Sequence, residues 1–330
     1  MKIKKNIIYV ESPLQFFSSI SFLRKNYKES LLLYYKKDNQ LESLIENSNF
    51  SINYIKFTLP NIIKLIFQSI IIYRIKVVGV GDLRSTRSLF SILFFGKSKL
   101  LLFDDGNYSS NLDQNGDYKI NLGYANIKSS YIKYILNRYR IHRHTIFNHT
   151  IKRPYAKIVK SNSSKTLKFI NIDNNKDGLS HFNSNSKTFF YIESNLDGWT
   201  ENSTEQKVYN IINEYCNDNE YDLVILAHRL TPIKRIKEFT REFTNIKCVK
   251  LNVPVELFLI LNDHNNFIFG FSITSALHTG TELINNSKII NIKIPQKYIF
   301  NQFKEVADNH YARFYSYGYR MNKEFEELEI

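Results

Sequence analysis

The chain has 330 residues, of which 43% are apolar, and its formal net charge at neutral pH is +14. The length exceeds what one compact core usually holds and predicts two domains, and the two cysteines are too few for a disulfide scaffold or a paired zinc site. The charge predicts an anionic partner, although the codon bias of an AT-rich genome explains part of it equally well. We find no nucleic-acid-binding motif, so we expect no nucleic-acid partner.

Alternating strand and helix signals run through the first half of the chain. A strand over 7–10 precedes Ser12-Pro13, a helix start with proline near the first helical position. The apolar run that ends before Glu11 is too short for a signal-peptide core, so we expect a cytoplasmic protein. The further predicted elements are strand 31–35, helix 40–46, strand 52–57, helix 62–73, strand 76–80, a short helix ending at 95, strand 100–103 and a basic helix over 131–143.

A polar segment over 171–187, rich in Asn, Asp, Ser and Lys, predicts a linker between domains. Both halves of the chain show the βαβα order of doubly wound parallel sheets. The predicted fold class is therefore α/β and GT-B-like, with Rossmann-like domains at 1–175 and 176–330 facing an interdomain cleft. The elements predicted after the linker are strand 189–192, helix 205–215, strand 223–227, helix 232–243, strand 247–251, helix 255–261, strand 267–271, helix 274–285, strand 289–292 and a C-terminal helical region.

The most apolar stretch of the chain, 62–78, is interrupted by Lys64, Gln68, Arg74 and Lys76. It therefore lacks the roughly 18 uncharged residues of a membrane-spanning helix. With Lys64 and Arg74 beside its apolar face, helix 62–73 could instead rest on an anionic bilayer surface. Packing against a sheet is the interpretation that we favour for this helix.

Two further features argue against other functions. His142, His144 and His149 cannot share one face of the basic helix, so we expect these side chains in solvent rather than at a metal site. The sequence also lacks a glycine-rich phosphate loop of the dinucleotide or Walker type, which argues against NAD enzymes and P-loop ATPases.

Three polar clusters each follow an apolar run that is predicted as a strand: Asp104-Asp105-Gly106, His228-Arg229, and Ser272-Ile273-Thr274-Ser275. Ligands of open α/β sheets bind beyond the carboxyl ends of the strands, so these clusters can form one site. A carboxylate at a rigid strand end suits a general base, and hydroxyls at a helix start suit a phosphate. The local alternatives are an ordinary turn or a cation site for the carboxylates, a structural histidine, and helix capping.

Together with Glu11-Ser12-Pro13-Leu14-Gln15 and Pro254-Val255-Glu256, the clusters resemble motifs of the bacterial sialyltransferases and polysialyltransferases that build lipooligosaccharides and capsules. The resemblance spans both halves of the chain and is carried by short motifs. Those enzymes are inverting, metal-independent GT-B transferases that use CMP-sialic acid, with an acidic-acidic-Gly motif, a His-Pro motif and a serine pair. In this sequence His228 is followed by Arg229, where the family motif has proline.

The resemblance implies a role for each cluster. Asp104 would be the general base, with Asp105 as second choice, and His228 would assist departure of the nucleotide phosphate. The N-terminal domain would bind the acceptor and the C-terminal domain the nucleotide sugar. Glu256 has a rival interpretation as a favourable charge in the first turn of a helix. The residues implied in donor binding are Arg229, Glu256, Ser272, Thr274 and Ser275.

The resulting prediction is an inverting glycosyltransferase that moves sialic acid from CMP-sialic acid to a bacterial surface glycan or glycolipid. We expect no metal ion or other cofactor, and a cytoplasmic location with contact to the inner face of the plasma membrane as an option. The alternatives are a related transferase that uses another nucleotide sugar, and a noncatalytic polyanion-binding protein with the same fold.

Overall fold

The chain divides into two compact units, Met1–Ile172 and Asp173–Ile330. The predicted domain boundary between 175 and 176 falls outside the described residues, so the predicted domain limits and domain roles stay predictions. A computed structural model describes residues 2–35, 39–49, 51–83, 85–96, 99–104, 134–135, 138–145, 157–160, 187–229, 231–243, 246–251, 253–263, 267–274, 284, 286–321 and 325–330.

Unit 1 contains a seven-stranded parallel sheet with the order β3-β2-β1-β4-β5-β6-β7. From β1 the chain continues to β2 and β3 on one side of the sheet, and from β4 it continues to β5, β6 and β7 on the other side. The carboxyl ends of β1 and β4 therefore flank a topological switch point. Its strands are β1 (Ile3–Val10), β2 (Ser30–Tyr34), β3 (Asn53–Lys56), β4 (Tyr73–Val80), β5 (Lys99–Leu102), β6 (Arg140–Thr145) and β7 (Lys157–Lys160).

Four helices of unit 1 connect the first five strands. Right-handed crossovers in the two directions place α1 and α2 on one face of the sheet and α3 and α4 on the other, and each pair is in contact. The core between sheet and helices is formed by buried aliphatic and aromatic side chains such as Ile7, Val78 and Phe95. The helices are α1 (Pro13–Lys25), α2 (Asn39–Glu46), α3 (Leu59–Ile71) and α4 (Thr86–Phe95).

The turn from β1 into α1 follows from the predicted helix start. The Ser12 hydroxyl accepts a hydrogen bond from the Gln15 backbone N–H at 3.3 Å, which caps the helix, and Pro13 occupies its first position. The Gln15 side chain turns back, and its Oε1 accepts from the Glu11 backbone N–H at 2.9 Å. The segment 11–15, which carries part of the family resemblance, thus forms a loop at the switch point that is stabilised by hydrogen bonds within the segment.

The sequence prediction was wrong around β6. Residues 140–145 form a strand between β5 and β7, not the end of a basic helix. His142 and His144, predicted to be in solvent, are 8% and 7% exposed, while His149 lies outside the described residues. The prediction failed because the polar residues were interpreted without the sheet that buries them. The charge of Arg143 is paired with Asp104, which follows the neighbouring strand β5 and is 39 residues away in the sequence.

Unit 2 contains a six-stranded parallel sheet with the order β10-β9-β8-β11-β12-β13. The switch point lies between β8 and β11. Its strands are β8 (Thr188–Ile192), β9 (Asp222–Leu226), β10 (Ile246–Val249), β11 (Ile268–Phe271), β12 (Lys288–Lys293) and β13 (Glu326–Glu329), and its helices are α5 (Asn202–Asp218), α6 (Ile233–Phe239), α7 (Val255–Asn262) and α8 (Lys304–Met321).

The edge strand β13 was not predicted, because the sequence Glu-Glu-Leu-Glu lacks a strand pattern. It pairs with β12, where Glu326 and Glu327 form ion pairs with Lys288 and Lys293. These cross-strand charges replace the apolar alternation that sequence reasoning relies on. The helix predicted over 274–285 falls largely outside the described residues.

The predicted alternation of strands and helices is otherwise confirmed in both units, with element ends that differ by a few residues. Both thiols are free, and Cys216 is buried while Cys248 is half-buried. Within the part of the chain that the structure describes, no helix is long and apolar enough to cross a membrane.

Candidate active site

Two neighbouring strands of unit 2 end in polar residues at the switch point. Glu193 and Ser194 directly follow β8, and Ser272 directly follows β11. Because β8 and β11 are parallel and hydrogen-bonded to each other, these residues emerge at the same edge of the sheet. This edge is where open α/β sheets bind their ligands, so we take it as the candidate site of unit 2.

Three hydroxyl groups connect the ends of β8 and β11. The Ser194 and Ser272 hydroxyl oxygens are 2.5 Å apart, and the Tyr191 hydroxyl lies 3.2 Å from that of Ser272. All three side chains are buried, and burial raises the pKa of Tyr191, which therefore remains a neutral phenol. The contacts fix the start of the loop after β11, where Ser272 was predicted to contact a phosphate.

Glu193 links the end of β8 to the end of β9. Its Oε2 accepts from the His228 backbone N–H at 2.5 Å, and its Oε1 accepts from the Thr231 hydroxyl at 3.0 Å. Burial raises the pKa of this carboxyl group to about 7, although both hydrogen bonds act in the opposite direction. Glu193 can therefore exchange a proton near neutral pH, which an ordinary carboxylate does not do.

The charges of two basic residues act on His228. Burial lowers the pKa of its imidazole to about 4, and the charges of Arg229 and Lys250 contribute further. The imidazole is consequently neutral at pH 7 and can donate one hydrogen bond.

Glu256, predicted to bind a ribose, is the second residue of α7, which follows Pro254. Burial raises the pKa of its carboxyl group, and the positive charge of Arg229 acts against this rise. Arg229 therefore acts electrostatically on both His228 and Glu256, which places three predicted residues in one neighbourhood. Thr274 is half-buried just beyond Ser272, and Ser275 lies outside the described residues.

In unit 1, Asp104 follows β5 and is completely buried. Its Oδ1 accepts from the Arg143 guanidinium of β6 at 2.6 Å, and the exposed fractions of the two side chains are 0% and 1%. The Asp104 backbone N–H donates to the Ser18 hydroxyl of α1 at 3.0 Å. At least one carboxylate oxygen is thus committed to an ion pair, so the role of general base stays a prediction for Asp104. Asp105 and Gly106 lie outside the described residues.

The structure thus brings together one part of the predicted site. The His228, Arg229 and Glu256 group and the Ser272 segment lie in unit 2, with Glu193 and Ser194 between His228 and Ser272. The approach of Asp104 to this group across an interdomain cleft stays a prediction. No three His, Cys, Asp or Glu side chains are grouped as a metal ion would require within the described residues, which omit Asp105.

Sequence reasoning missed Glu193, Ser194 and Thr231. A signal for the first two was present, since a carboxylate and a hydroxyl directly follow the buried strand over 188–192, as Asp104 follows β5. The signal for Thr231 was absent, because its contact with Glu193 spans 38 residues of sequence and depends on strand order.

Comparisons with known proteins give a fold and no family. No protein-family model and no curated protein sequence matches the chain. Among solved structures, the UDP-GlcNAc 2-epimerase from Neisseria meningitidis bound to UDP-GlcNAc superposes with a TM-score of 0.57 at 11% identity, over 87% of this chain and 82% of that chain. The Methanocaldococcus jannaschii UDP-GlcNAc 2-epimerase in complex with UDP-GlcNAc and UDP gives 0.55 at 15% identity, over 97% and 93%.

The E. coli heptosyltransferase WaaC with ADP-2-deoxy-2-fluoro heptose covers 94% of this chain and 99% of its own at 10% identity. Its TM-score of 0.39 is too low to support an argument. The two sheets and the superpositions above 0.5 define the fold as GT-B-like, with two Rossmann-like α/β units, which confirms the predicted fold class. At these identities the comparison extends to the fold alone.

Proposed function

We propose that this protein is a nucleotide-sugar enzyme that transfers a glycosyl group, specifically sialic acid from CMP-sialic acid to a bacterial surface glycan. One observation carries the proposal. The His228 and Ser272 motifs, 44 positions apart in the sequence, are linked at one sheet edge through the adjacent residues Glu193 and Ser194. The link fits the prediction that both motifs serve the nucleotide phosphate.

The electrostatics of His228 favour a phosphate leaving group. A bound phosphate would offset the positive charges of Arg229 and Lys250 and thereby raise the pKa of His228 from about 4. The imidazole would then take up a proton when the donor binds and could stabilise the negative charge that develops on the departing phosphate. The Ser272 and Thr274 segment would supply hydroxyl and backbone donors to the phosphate oxygens.

The proton acceptor of the reaction has more than one candidate. Asp104 and Asp105 are proposed from the family resemblance, and Asp104 would have to act while paired with Arg143. Glu193 is a further candidate, because its pKa of about 7 suits a group that accepts a proton near neutral pH. The proposed reaction requires no metal ion.

A donor screen tests the proposal. We expect CMP-sialic acid to raise the melting temperature of the protein more than UDP-sugars or CMP-Kdo, and an acceptor glycan to stimulate release of CMP, also in excess chelator. His228→Gln should reduce turnover more than donor affinity. Ser272→Ala should weaken donor binding about tenfold, whereas Ser91→Ala, an equally buried serine on α4, should leave it unchanged.

Other outcomes distinguish the competing functions. A UDP-GlcNAc 2-epimerase is the second candidate, because the structures that superpose above a TM-score of 0.5 include enzymes of that name. Conversion of UDP-GlcNAc at C2 without any acceptor would favour this second candidate and contradict the transferase. Binding of polyanions without turnover of any donor would instead support the noncatalytic alternative.

A further inference from the structure

Helix α3 of unit 1 exposes an apolar face to solvent. Leu59 is 73% exposed, Phe67 is 61% exposed and Ile71 is 69% exposed. These positions are spaced by eight and four residues, so they lie along one side of the helix. The exposed apolar side chains of this face, which we call the α3 patch, are Leu59, Ile63, Phe67, Ile70 and Ile71.

The fold does not explain the α3 patch. The helix already packs on the sheet through its opposite side, where Ile62 and Leu65 are buried in the core. A helix that covers a sheet needs one apolar face, and a second one in water is unfavourable unless something covers it. The sequence suggested two interpretations of this helix, packing against a sheet and contact with an anionic bilayer. Both can be correct, because each applies to a different face of the helix.

The neighbouring helix extends the apolar surface. Helix α4 contacts α3 and exposes Leu93 and Phe94. The Phe94 ring lies 4.2 Å from that of Phe90, whose ring is in turn 6.2 Å from that of Phe57, two residues before α3. Aromatic contacts thus join α4 to the segment that leads into α3.

The sequence segment that contains the patch is strongly basic. Residues 51–103 contain eight Lys or Arg residues and a single acidic residue, Asp82. Lys56, Lys64 and Arg74 are exposed at the start, middle and end of the α3 region. The Lys2 ammonium group also donates to the Ile70 carbonyl at the end of α3. An exposed apolar face bordered by cations fits an anionic, partly apolar partner.

We infer that the α3 patch and the exposed side chains of α4 form a docking surface for an anionic bilayer. The apolar side chains enter the boundary between headgroups and acyl chains, while the surrounding cations contact anionic headgroups. A second copy of this chain fits poorly, because it would bring the same positive charge to the contact. A nucleic acid would use the cations and leave the apolar face uncovered.

The geometry of α3 corresponds to a helix that lies in the bilayer interface. It has 13 residues, a length of about 20 Å, whereas the hydrocarbon core is about 30 Å thick. Its two apolar faces also have separate uses, since one packs on the sheet of unit 1. The inference does not depend on the reaction proposed above.

Vesicle flotation with the full chain tests the inference. We expect binding to mixed vesicles of phosphatidylcholine and phosphatidylglycerol, little binding to pure phosphatidylcholine, and release at high salt. The double variant Phe67→Ser/Ile71→Ser should weaken binding about tenfold or more, because it removes inserted apolar surface. Lys64→Glu should weaken it at least about fivefold.

Two control variants carry matched changes elsewhere. Lys25→Glu reverses an exposed charge on α1, which covers the other face of the same sheet, and Phe300→Ser removes an exposed ring of unit 2. Both should bind mixed vesicles like the parent protein. Because all the substituted side chains are exposed, the melting temperature should change little, and this measurement shows that each variant is folded.

Three results would overturn the inference. They are the absence of vesicle binding, equal binding by the parent and the patch variants, and a dimer that dissociates in the Phe67→Ser/Ile71→Ser variant without any vesicle binding. The last result would identify a second copy as the partner. Thermal shifts with nucleotides on the same variants report the donor site separately, so failure of either proposal can be recognised independently.

Discussion

Glu193 is buried at the end of β8, and burial raises the pKa of its carboxyl group from 4.5 to about 7. The folded state therefore binds this proton more tightly than the unfolded state. Its contribution to stability is complete below the unfolded value of 4.5 and is lost as the pH rises through 7. His228 behaves in the opposite sense, because its pKa is lowered from 6.5 to about 4 and its contribution is lost as the pH falls through 4.

Glu193→Gln should separate these two effects. The amide can accept from the His228 N–H and donate to the Thr231 hydroxyl, so it mimics the protonated acid. We expect the variant to lose the decrease in stability that the parent shows between pH 4.5 and 7, a difference of about 3 kcal/mol at most. Denaturant unfolding across this range measures it, with Glu214→Gln, an exposed glutamate of α5, as control. Identical pH profiles for the parent and Glu193→Gln would contradict the pKa assignment.

The pair of Asp104 and Arg143 changes how a variant of the proposed base must be interpreted. Both side chains are buried, so removing one charge leaves the other without compensation in a medium of low polarity. Loss of activity in an Asp104 variant would therefore have two explanations, a missing base or a damaged fold. Only a variant that remains folded can distinguish them.

We expect Asp104→Asn to lower the free energy of unfolding by about 3–5 kcal/mol. Adding Arg143→Met should recover part of this loss, and the double-mutant cycle should give a coupling of about 1–3 kcal/mol. The exposed ion pair of Lys76 with Glu29 provides a control, since Glu29→Gln should cost less than about 1 kcal/mol. Additive effects at Asp104 and Arg143 would show that the two side chains do not stabilise each other.

At the scale of elements, the turn between β1 and α1 depends on close contact with β4. Gly81 follows β4, and a Cβ atom at this position would lie 2.2 Å from Cγ and Cδ of Gln15. The Gln15 side chain is buried there while it accepts from the Glu11 N–H. The segment 11–15 therefore has a structural reason for its glutamine, apart from any role in binding an acceptor.

Gly81→Ala should consequently displace Gln15 and break its bond to Glu11, which we expect to cost about 1–3 kcal/mol in denaturant unfolding. Gln15→Ala alone provides the control, and adding Gly81→Ala to it should cost little more, because the truncated side chain leaves room for the new methyl group. A Gly81→Ala protein as stable as its parent would mean that Gln15 can move aside without loss.

The whole molecule carries its charge unevenly. Residues 51–103 contribute +7 and residues 128–168 contribute +11 to the net charge of +14, and the rest of the chain is net acidic. If both proposals are correct, contact of the α3 patch with an anionic membrane would bring the protein to acceptors that are linked to lipids.

If both proposals hold, the α3 patch should affect catalysis only through the membrane. We expect Phe67→Ser/Ile71→Ser to keep the parent rate on a soluble glycan acceptor and to lose about tenfold in rate on a glycolipid acceptor in anionic vesicles. Raising the salt concentration should remove the difference between the two proteins on vesicles. A similar loss on both acceptors would place Phe67 and Ile71 in the reaction rather than in docking.

Much of the fold could be predicted from local patterns. Apolar runs and helix periodicity predicted the doubly wound order of both halves, and Ser12-Pro13 predicted the start of α1. The clusters at Asp104, His228 and Ser272 were predicted at strand ends, where the structure has them. These features depend on neighbours in sequence, so the sequence by itself determined them.

Other features depended on the tertiary structure. Strand order brings Glu193 to His228 and Ser194 to Ser272, and it brings Arg143 to Asp104 across 39 residues. The burial of β6 and the exposure of the second apolar face of α3 were decided in the same way. Local periodicity shows that a face is apolar or that a charge is present, but only the packing of distant segments decides which face is covered and which charge is paired.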